Sequence, residues 1–304
     1  METTKIMALL SAMIPKANIK ENEPMKSHTS FKIGGVADVF VSPTTKLQLV
    51  DAIRICKENQ VPYYIIGNGS NLLVSDKGFR GVIIEVSKNL SEMRREGNMI
   101  IAEAGALLAR IAKTAESADL TGFEFAHGIP GTLGGAVTMN AGAYDGEMKN
   151  VILQAEIIDQ QGQIQTFTKD QLELGYRTSI IQKKGYIVLE AVIALQPGNK
   201  EEITAKMKDL AGRRKDKQPL EYPSAGSTFK RPVGHFAGKL IMDSDLSGYE
   251  VGGAQVSEKH CGFVINKGDA TFEDVMQLIE HVQKVVKERF NVELEAEVRI
   301  IGER

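Results

Sequence analysis

Two glycine-rich stretches are the parts of the sequence best suited to bind a phosphate group. The first, Gly-Asn-Gly-Ser-Asn at residues 67–71, follows an apolar run at 63–66 that is predicted to be a strand. Glycine lets the backbone turn sharply and point several N–H groups at one place, which creates a binding site for anions. The third glycine of a dinucleotide fingerprint is missing. A tight hairpin turn is the competing interpretation of this stretch alone.

The second stretch is longer, with Gly-Ile-Pro-Gly-Thr-Leu-Gly-Gly at 128–135 followed by Asn-Ala-Gly-Ala-Tyr at 140–144. Because so many glycines are costly in folding entropy, we expect a ligand to approach the backbone closely there. A pyrophosphate is the usual ligand, and a sharp turn in an irregular loop is the alternative. Two such loops in one chain favour the ligand.

Several polar residues lie beside apolar segments, where they could act on a substrate. Tyr-Arg stands at 176–177, Ser-Ala-Gly-Ser at 224–227 is predicted to be a turn, and Glu295 and Glu297 share one face of a predicted strand. Each has an ordinary alternative: a surface ion pair, a turn serine or a solvated strand face. The charge run at 213–217 is either a solvated helix face or a diphosphate clamp. The sequence by itself does not choose among these.

The composition excludes some classes of protein. The 304 residues carry a formal net charge of −2, unlike a dedicated nucleic-acid-binding protein. The five histidines and two cysteines, Cys56 and Cys261, show no metal-ligand spacing, so we predict no metal site and two buried, unremarkable thiols. No apolar run is long enough to cross a membrane, and an amphipathic first helix is favoured over a signal peptide. We therefore expect a globular cytoplasmic protein.

Apolar periodicity predicts the elements that carry these motifs. A helix is expected after Ser42, which can cap it, with Pro43 at its first position. Pro197 and Gly198 mark a domain boundary, and the pattern is α+β without a regular βαβ alternation. Further helices are predicted at 106–118, 201–215 and 271–290, the last capped by Thr271, and strands at 63–66, 72–74, 82–86, 151–159, 185–195 and 294–301.

Taken together, the motifs resemble the UDP-N-acetylenolpyruvoylglucosamine reductase family, which are flavoenzymes of peptidoglycan precursor synthesis. The resemblance covers nearly the whole chain, in the order of the family. Its segments are Thr-Ser-Phe-Lys-Ile-Gly-Gly at 29–35, Gly-Asn-Gly-Ser-Asn-Leu-Leu at 67–73, residues 128–144, Tyr-Arg at 176–177, Ala-Gly-Ser-Thr-Phe-Lys at 225–230, Gly-Gly-Ala at 252–254 and Glu-Val-Arg at 297–299.

The resemblance implies an α+β fold. It consists of a two-part FAD-binding module of the vanillyl-alcohol-oxidase type and a C-terminal α+β substrate domain. The expected segments are 1–80 and 81–197 for the FAD-binding subdomains, 198–290 for the substrate domain, and 291–304 for a strand that returns to the flavin domain with Glu297. Some members have an extra lobe whose tyrosine closes over the substrate. No segment here corresponds to it, so the chain resembles the shorter type.

The implied reaction has two halves. NADPH gives a hydride to flavin N5, and the flavin gives it to C3 of the enolpyruvyl group while C2 gains a proton, forming UDP-N-acetylmuramate. Arg177 matches the arginine that stabilises the enolate, and its planar fork suits a carboxylate. By acid strength alone, Glu297 would be the proton donor. The family instead assigns the proton to Ser227, with Lys230 or Arg177 stabilising the alkoxide and Glu297 orienting the intermediate.

The resemblance also implies the ligands. FAD is expected to be non-covalent because Ser70 stands where some proteins of this fold class have a flavin-linked histidine. NADPH enters the cavity of the UDP-sugar, no nucleic acid or membrane takes part, and a monomer is expected. The expected substrate contacts are Tyr176, Lys217, Lys230 and Arg231, with Lys217 and Arg231 on the UDP diphosphate. The expected cofactor contacts are Gly67, Asn68, Gly69, Ser70, Asn71, Gly128, Pro130, Gly131, Thr132, Gly134, Gly135 and Asn140.

Two other functions are open at this point. Another FAD enzyme of the same fold, which oxidises a sugar or a hydroxy acid, would have similar flavin loops. It would not need a proton donor such as Ser227, and the strings around Ser227 and Glu297 separate the two. A non-catalytic nucleotide-binding protein is the alternative from a different class, and it would be colourless.

Overall fold

The computed structural model describes residues 3–303 of the chain. The helices in that range are α1 (Thr3–Ser11), α2 (Lys46–Glu58), α3 (Leu108–Ser117), α4 (Leu133–Met139), α5 (Met148–Val151), α6 (Ile180–Lys184), α7 (Lys200–Lys217), α8 (Ala237–Asp243) and α9 (Phe272–Phe290). The strands are β1 (Ile19–Pro24), β2 (Val36–Val41), β3 (Tyr63–Ile66), β4 (Leu72–Val74), β5 (Phe79–Glu85), β6 (Met93–Glu96), β7 (Met99–Glu103), β8 (Leu120–Thr121), β9 (Gly142–Ala143), β10 (Gly146–Glu147), β11 (Ile152–Ile158), β12 (Ile164–Thr168), β13 (Ile187–Ala194), β14 (Gln196–Pro197), β15 (Ser224–Ser227), β16 (Glu250–Val251), β17 (Ala254–Val256), β18 (Phe263–Asn266) and β19 (Arg299–Ile301).

The chain divides into two compact units, and each is assembled from separate stretches of sequence. The first unit contains residues 1–21, 39–68 and 81–214, and the second contains 22–38, 69–80 and 215–304. Each unit has its own cluster of buried apolar side chains. The predicted segment limits after residues 80, 197 and 290 remain a prediction. Within residues 3–303, no helix is both long and apolar enough to span a membrane.

The first unit is built around an antiparallel sheet with the strand order β12-β11-β13-β7-β6. The central strand β13 is rich in aliphatic and β-branched residues, which suit a pleated, buried surface. Helix α4 packs against β13 and β7. Since the second glycine-rich stretch leads directly into α4, this packing holds the stretch in place. Helix α3 buries Leu108, Ile111, Ala112 and Ala115 on one face, whereas Leu107, predicted to lie on the apolar stripe with Ile111 and Ala115, is its exposed N-cap.

The second unit pairs an antiparallel sheet, in the order β15-β18-β17-β16, with helix α9. Thr271 caps α9 in a capping box with Asp274, as predicted. The apolar face of α9 is buried over about four turns at Phe272, Val275, Leu278, Ile279, Val282 and Val286. Strand β19 pairs in parallel with β4, so Arg299 lies opposite Leu72.

One predicted helix start is wrong. Helix α2 begins at Lys46, and Thr45 is its N-cap, with a side chain that accepts the N–H of Gln48. Ser42 was expected to be this cap. Its side chain is buried and donates a hydrogen bond to the carboxylate of Glu85 at 2.8 Å, so it holds the neighbouring strand β5 instead. Serine is at least as good an N-cap as threonine, so the tertiary hydrogen bond of Ser42 decides between them.

Two other predicted elements differ from the structure. Of the predicted strand at 294–301, only Arg299–Ile301 is a strand. The residues before it pair with a different segment, through a single isolated bridge between Phe229 and Ala296. Ser224–Ser227, predicted to be a turn, form strand β15. The other predicted strands are present, and their limits differ from the expected ones by at most three residues. The first helix, α1, buries Ile6 and Leu10, as expected of an amphipathic helix.

Candidate active site

The two glycine-rich stretches meet in the first unit. The side-chain amide of Asn68 donates a hydrogen bond to the carbonyl of Pro130 at 2.8 Å. A Cβ on Gly67 would lie only 2.1 Å from Oγ1 of Thr132, so a larger residue does not fit there without movement. Thr132 is itself buried. The first residues of one stretch therefore pack directly on the middle of the other, which is what a shared ligand site requires.

Arg214 brings a positive charge to this pair of loops. Its guanidinium is so close to Gly128 that a Cβ there would lie 2.6 Å from Nη1. Burial lowers the pKa of Arg214, and the nearby Tyr144 acts in the opposite direction. Arginine stays charged in proteins even so. A diphosphate beside it would offset the cost of burying the charge, and the residues present therefore fit the diphosphate of FAD.

Arg214 belongs to the charge run at 213–217 and is not among the predicted ligand contacts. The other four residues of the run are exposed, while Arg214 is half-buried. The signal was available, because Arg214 lies seven residues after the buried Met207 on the same helical stripe of α7. A charged residue on the apolar stripe of a helix therefore distinguishes Arg214 from the rest of the run.

Helix α7 is anchored beside these loops by Glu124, which is almost fully buried. The pKa of Glu124 is lowered: burial by itself raises it, but hydrogen bonds from Thr121 and Gly122 and the charge of Lys206 outweigh that effect. Lys206, on α7, lies 3.4 Å from the Glu124 carboxylate. The helix that carries Arg214 is thus tied to the segment just before the glycine-rich loop.

Asn140, an expected cofactor contact, has a structural role in its side chain. Its amide nitrogen donates to Glu147 at 2.9 Å and to the carbonyl of Gly175 at 3.0 Å, and its oxygen accepts the N–H of Lys149 at 2.8 Å. It is 1% exposed. The hydrogen bond to Gly175 ties the glycine-rich region to the turn that carries Arg177.

Arg177 lies at the tip of a tight turn. The backbones of Gly175 and Thr178 bond to each other in both directions, at 3.0 and 3.2 Å. Arg177 has a φ of 52°, which is uncommon for a residue other than glycine and costs of order 1–3 kcal/mol. Its guanidinium lies over the ring of Tyr176 at 5.4 Å and donates to the carbonyl of Gly142 at 3.5 Å. Strain of this kind is typical of functional sites.

Ser227 follows a β-bulge in the second unit. Ser224 pairs with Ile265 and Ser227 with Phe263, so three steps along β15 correspond to two along β18. Gly226 supplies the positive φ of 78° that the bulge needs. Bulges near active sites change the direction of a side chain. The strand therefore places Ser227 by an irregularity that the sequence signalled only as a turn.

Glu297 lies on the segment next to Ser227. Its N–H donates to the carbonyl of Thr228 at 2.8 Å, and its own carbonyl accepts a hydrogen bond from the side chain of Asn71 at 3.2 Å. Asn71, an expected cofactor contact, therefore also holds the backbone of Glu297. The second unit contains both Ser227 and Glu297, whereas Arg177 belongs to the first unit.

The remaining predicted residues lie in varied places. Lys230 forms an ion pair with the largely exposed carboxylate of Glu295. The Arg231 guanidinium lies over the ring of Phe236 at 3.9 Å. Lys217, Arg231 and Tyr176 are exposed. Gly69 has a φ of 58° and packs against the carbonyl of His28, and Ser70 beside it is half-buried.

Among residues 3–303, no three His, Cys, Asp or Glu side chains are grouped in a way that could hold a metal ion. Both cysteines are buried. Burial raises the pKa of the Cys56 thiol to about 12, so it is not a thiolate at neutral pH.

Comparison with known proteins identifies the class as proteins with an FAD-binding module. Residues 37–168 match the family model described as FAD binding domain. The crystal structure of the grass pollen allergen Phl p 4, which has glucose dehydrogenase activity, aligns with a TM-score of 0.51 at 14% identity, covering 64% of this chain and 44% of that one. That likeness concerns the fold alone.

The family is defined by closer relatives. Residues 218–301 match the model for the C-terminal domain of UDP-N-acetylenolpyruvoylglucosamine reductase. Reductases of that name from Clostridium novyi and Alkaliphilus oremlandii are 58% and 56% identical, covering 97% and 100% of this chain and 95% and 100% of the relatives. The Thermus caldophilus reductase structure aligns with a TM-score of 0.79 at 34% identity, over 91% of this chain and 97% of that one. The chain belongs to the UDP-N-acetylenolpyruvoylglucosamine reductase family.

These findings confirm the predicted family, the α+β fold with its FAD-binding module, and FAD as the cofactor. The roles of individual residues remain predictions.

Gly67→Ala should weaken FAD binding at least about tenfold, which corresponds to ~1.4 kcal/mol. The added Cβ would lie 2.1 Å from Oγ1 of the buried Thr132 and would push the two loops apart. Titration of the apoprotein with FAD, followed by flavin fluorescence, measures the affinity. Gly212→Ala is the matched control, because nothing lies within 4 Å of the added Cβ. An unchanged affinity in Gly67→Ala would count against this loop as part of the FAD site.

Proposed function

We propose that this protein reduces UDP-N-acetylenolpyruvoylglucosamine to UDP-N-acetylmuramate, with NADPH as the electron donor and FAD as the cofactor. The observation that carries the proposal is the position of Ser227. It follows a β-bulge directly, and the carbonyl of the next residue, Thr228, accepts the N–H of Glu297. A reductase that must protonate a carbon needs a fixed acid next to its substrate. An enzyme that only removes hydride has no such requirement.

FAD, when bound, accepts a hydride from NADPH and supplies one to C3 of the enolpyruvyl group. The residues proposed to hold it are those of the packed glycine-rich loops, with Arg214 facing the diphosphate. Two features support this: the close contact between Gly67 and Thr132, and the half-buried charge of Arg214 beside Gly128. Non-covalent binding is proposed because Ser70 cannot form the histidyl link.

Arg177 is proposed to stabilise the negative charge that develops on the substrate. Addition of hydride at C3 leaves charge on C2, which is delocalised into the substrate carboxylate as an enolate. A guanidinium presents two parallel N–H donors to a carboxylate, so it stabilises this charge better than an ammonium group does. The strained turn supports this role, because it holds the arginine in one place before substrate arrives.

Ser227 is proposed to deliver the proton to C2. A serine hydroxyl is a weak acid, so the alkoxide that it leaves needs stabilisation. Lys230 or Arg177 is proposed to supply that stabilisation, and Lys230, in the same unit as Ser227, forms an ion pair with Glu295. Glu297 is proposed to orient the enolic intermediate. Its N–H bonds to Thr228 and its carbonyl to Asn71, so its backbone is fixed.

NADPH and the UDP-sugar are proposed to bind in turn at the same place beside the flavin. Tyr176 would position the substrate, and Lys217 and Arg231 would contact the UDP diphosphate, since their exposed side chains are able to reach a ligand. We further propose that the protein works in the cytoplasm as a monomer.

A kinetic assay tests the function as a whole. The yellow holoprotein should oxidise NADPH catalytically, beyond one equivalent per FAD, only when UDP-N-acetylenolpyruvoylglucosamine is added, and mass spectrometry should detect the lactyl ether product. Because both ligands use one place, double-reciprocal plots should give parallel lines, with inhibition at high concentration of either ligand. Absence of turnover would overturn the proposed function, and intersecting lines would overturn the shared binding place.

Arg177→Lys should retain FAD but lose about 10²- to 10³-fold in turnover, because the charge is kept while its bidentate geometry is lost. Steady-state kcat measures the loss, and the flavin spectrum confirms that the cofactor is still bound. Arg213→Lys, an exposed arginine of the first unit, is the matched control and should be silent. Near-normal turnover of Arg177→Lys would exclude it as the enolate stabiliser.

Ser227→Ala should separate the two halves of the reaction. Bleaching of the flavin by NADPH needs no proton at C2, so it should keep its normal rate. Reoxidation by the enolpyruvyl substrate should slow by about 10²- to 10⁴-fold, because the developing carbanion has lost its acid. Stopped-flow absorbance measures both rates.

Ser227→Cys is the rescue variant, since a thiol also donates a proton, and it should restore part of the reoxidation rate. Equal slowing of both halves in Ser227→Ala would make Ser227 a structural or substrate-binding residue. Slowing of neither would make Glu297 the leading candidate for the acid.

A further inference from the structure

His260 lies in a tight turn between strands β17 and β18 of the second unit. Four hydrogen bonds close this turn. The N–H of His260 donates to Oγ of Ser257 at 3.3 Å, and the N–H of Phe263 donates to the carbonyl of His260 at 2.9 Å. The N–H of Ser257 donates to the carbonyl of Phe263 at 2.9 Å. The fourth uses the imidazole: the N–H of Gly262 donates to Nδ1 of His260 at 3.1 Å.

The turn is connected to Ser227 by a short path of hydrogen bonds. The carbonyl of Gly262 accepts the N–H of Thr228 at 2.8 Å, and the N–H of Val264 donates to Oγ1 of Thr228 at 2.9 Å. Ser227 itself lies opposite Phe263 in the β15–β18 ladder. The imidazole therefore accepts the N–H of Gly262, and the carbonyl of Gly262 accepts the N–H of the peptide that joins Ser227 to Thr228.

We propose that His260 is a positioning residue for Ser227, acting through Gly262 and Thr228. The proposal rests on the proposed function, because it concerns the proton donor of that reaction. It assigns to His260 no contact with substrate or cofactor.

The chemistry of the imidazole suits this role. Nδ1 can accept the Gly262 N–H only in the neutral ring that carries its hydrogen on Nε2. Burial lowers the pKa of His260, while a backbone hydrogen bond partly opposes that shift, so the ring is neutral at neutral pH. The ring packs edge-on against Phe263, with centroids 5.0 Å apart. This contact fixes the direction in which Nδ1 points.

Three substitutions separate positioning from bulk. His260→Asn keeps an acceptor near the place of Nδ1, His260→Gln moves it further out, and His260→Ala removes it. The Ala variant should slow reoxidation of the flavin by the enolpyruvyl substrate by roughly tenfold or more, because small misplacement of a reacting group is costly. Bleaching by NADPH should be unchanged in all three. The Asn variant should recover most of the lost rate and the Gln variant should not.

A double substitution tests whether His260 acts through Ser227. Adding His260→Ala to Ser227→Ala should slow reoxidation little beyond Ser227→Ala alone, since the group to be positioned is already absent. Two independent effects would instead multiply. His281→Ala is the control, because His281 stacks on Tyr249 in the same unit and takes no part in the turn.

A measurement without turnover completes the test. Nitrogen-15 spectra of labelled histidine should show His260 as the Nε2–H tautomer, and amide exchange at Gly262 should accelerate in His260→Ala but not in His260→Asn. If the wild type turns over, three results would each overturn the proposal. They are equal slowing of both half-reactions in His260→Ala, effects that multiply in the double variant, and an Nδ1–H tautomer. Absence of wild-type turnover would instead overturn the proposed function.

Discussion

The organisation of the second unit depends on Thr228, whose three polar groups bond to two different segments, residues 262–264 and Glu297. Its N–H donates to Gly262, its carbonyl accepts the N–H of Glu297, and its hydroxyl accepts the N–H of Val264. At 4% exposure these bonds are shielded from water, so losing any of them would leave a buried polar group unsatisfied. Ser227 precedes this residue directly. The position of the proposed proton donor is therefore a consequence of how its neighbour is bonded.

The first unit works under a different constraint, the burial of positive charge next to a glycine-rich backbone. Arg214 contacts Gly128, and Arg177 occupies a strained turn that Asn140 holds through Gly175. Neither arrangement favours the folded chain by itself, because both desolvation and a positive φ cost free energy. An anion bound beside either arginine would offset the cost of desolvating its charge. The proposed reaction supplies one anion to each: the diphosphate of FAD and the carboxylate of the substrate.

Much of the fold could be predicted from the sequence, because apolar periodicity reports which face of an element is buried. Helix α9 and its Thr271 cap are an example. Predictions failed where a tertiary hydrogen bond competes with a local preference. Ser42 bonds to Glu85 and leaves the cap to Thr45, and the segment before β19 pairs with residues near Phe229. The site residues were predicted from motifs, and their roles stay predictions. The parts that motifs do not report were missed: the inward direction of Arg214, and the link from His260 to Ser227.

The discontinuous make-up of the second unit has a consequence for synthesis on the ribosome. Strand β4 forms its parallel ladder with β19, and the Asn71–Glu297 hydrogen bond joins residues 226 positions apart. Leu72, Leu73 and Val74 are all buried in the finished protein. During synthesis these apolar residues leave the ribosome long before their partner strand β19, so they lack it until nearly all of the polypeptide has been made. Contacts of such long range form slowly, and an exposed strand edge invites pairing with other chains. Binding by a chaperone that recognises short apolar segments is therefore most useful to this protein early in translation.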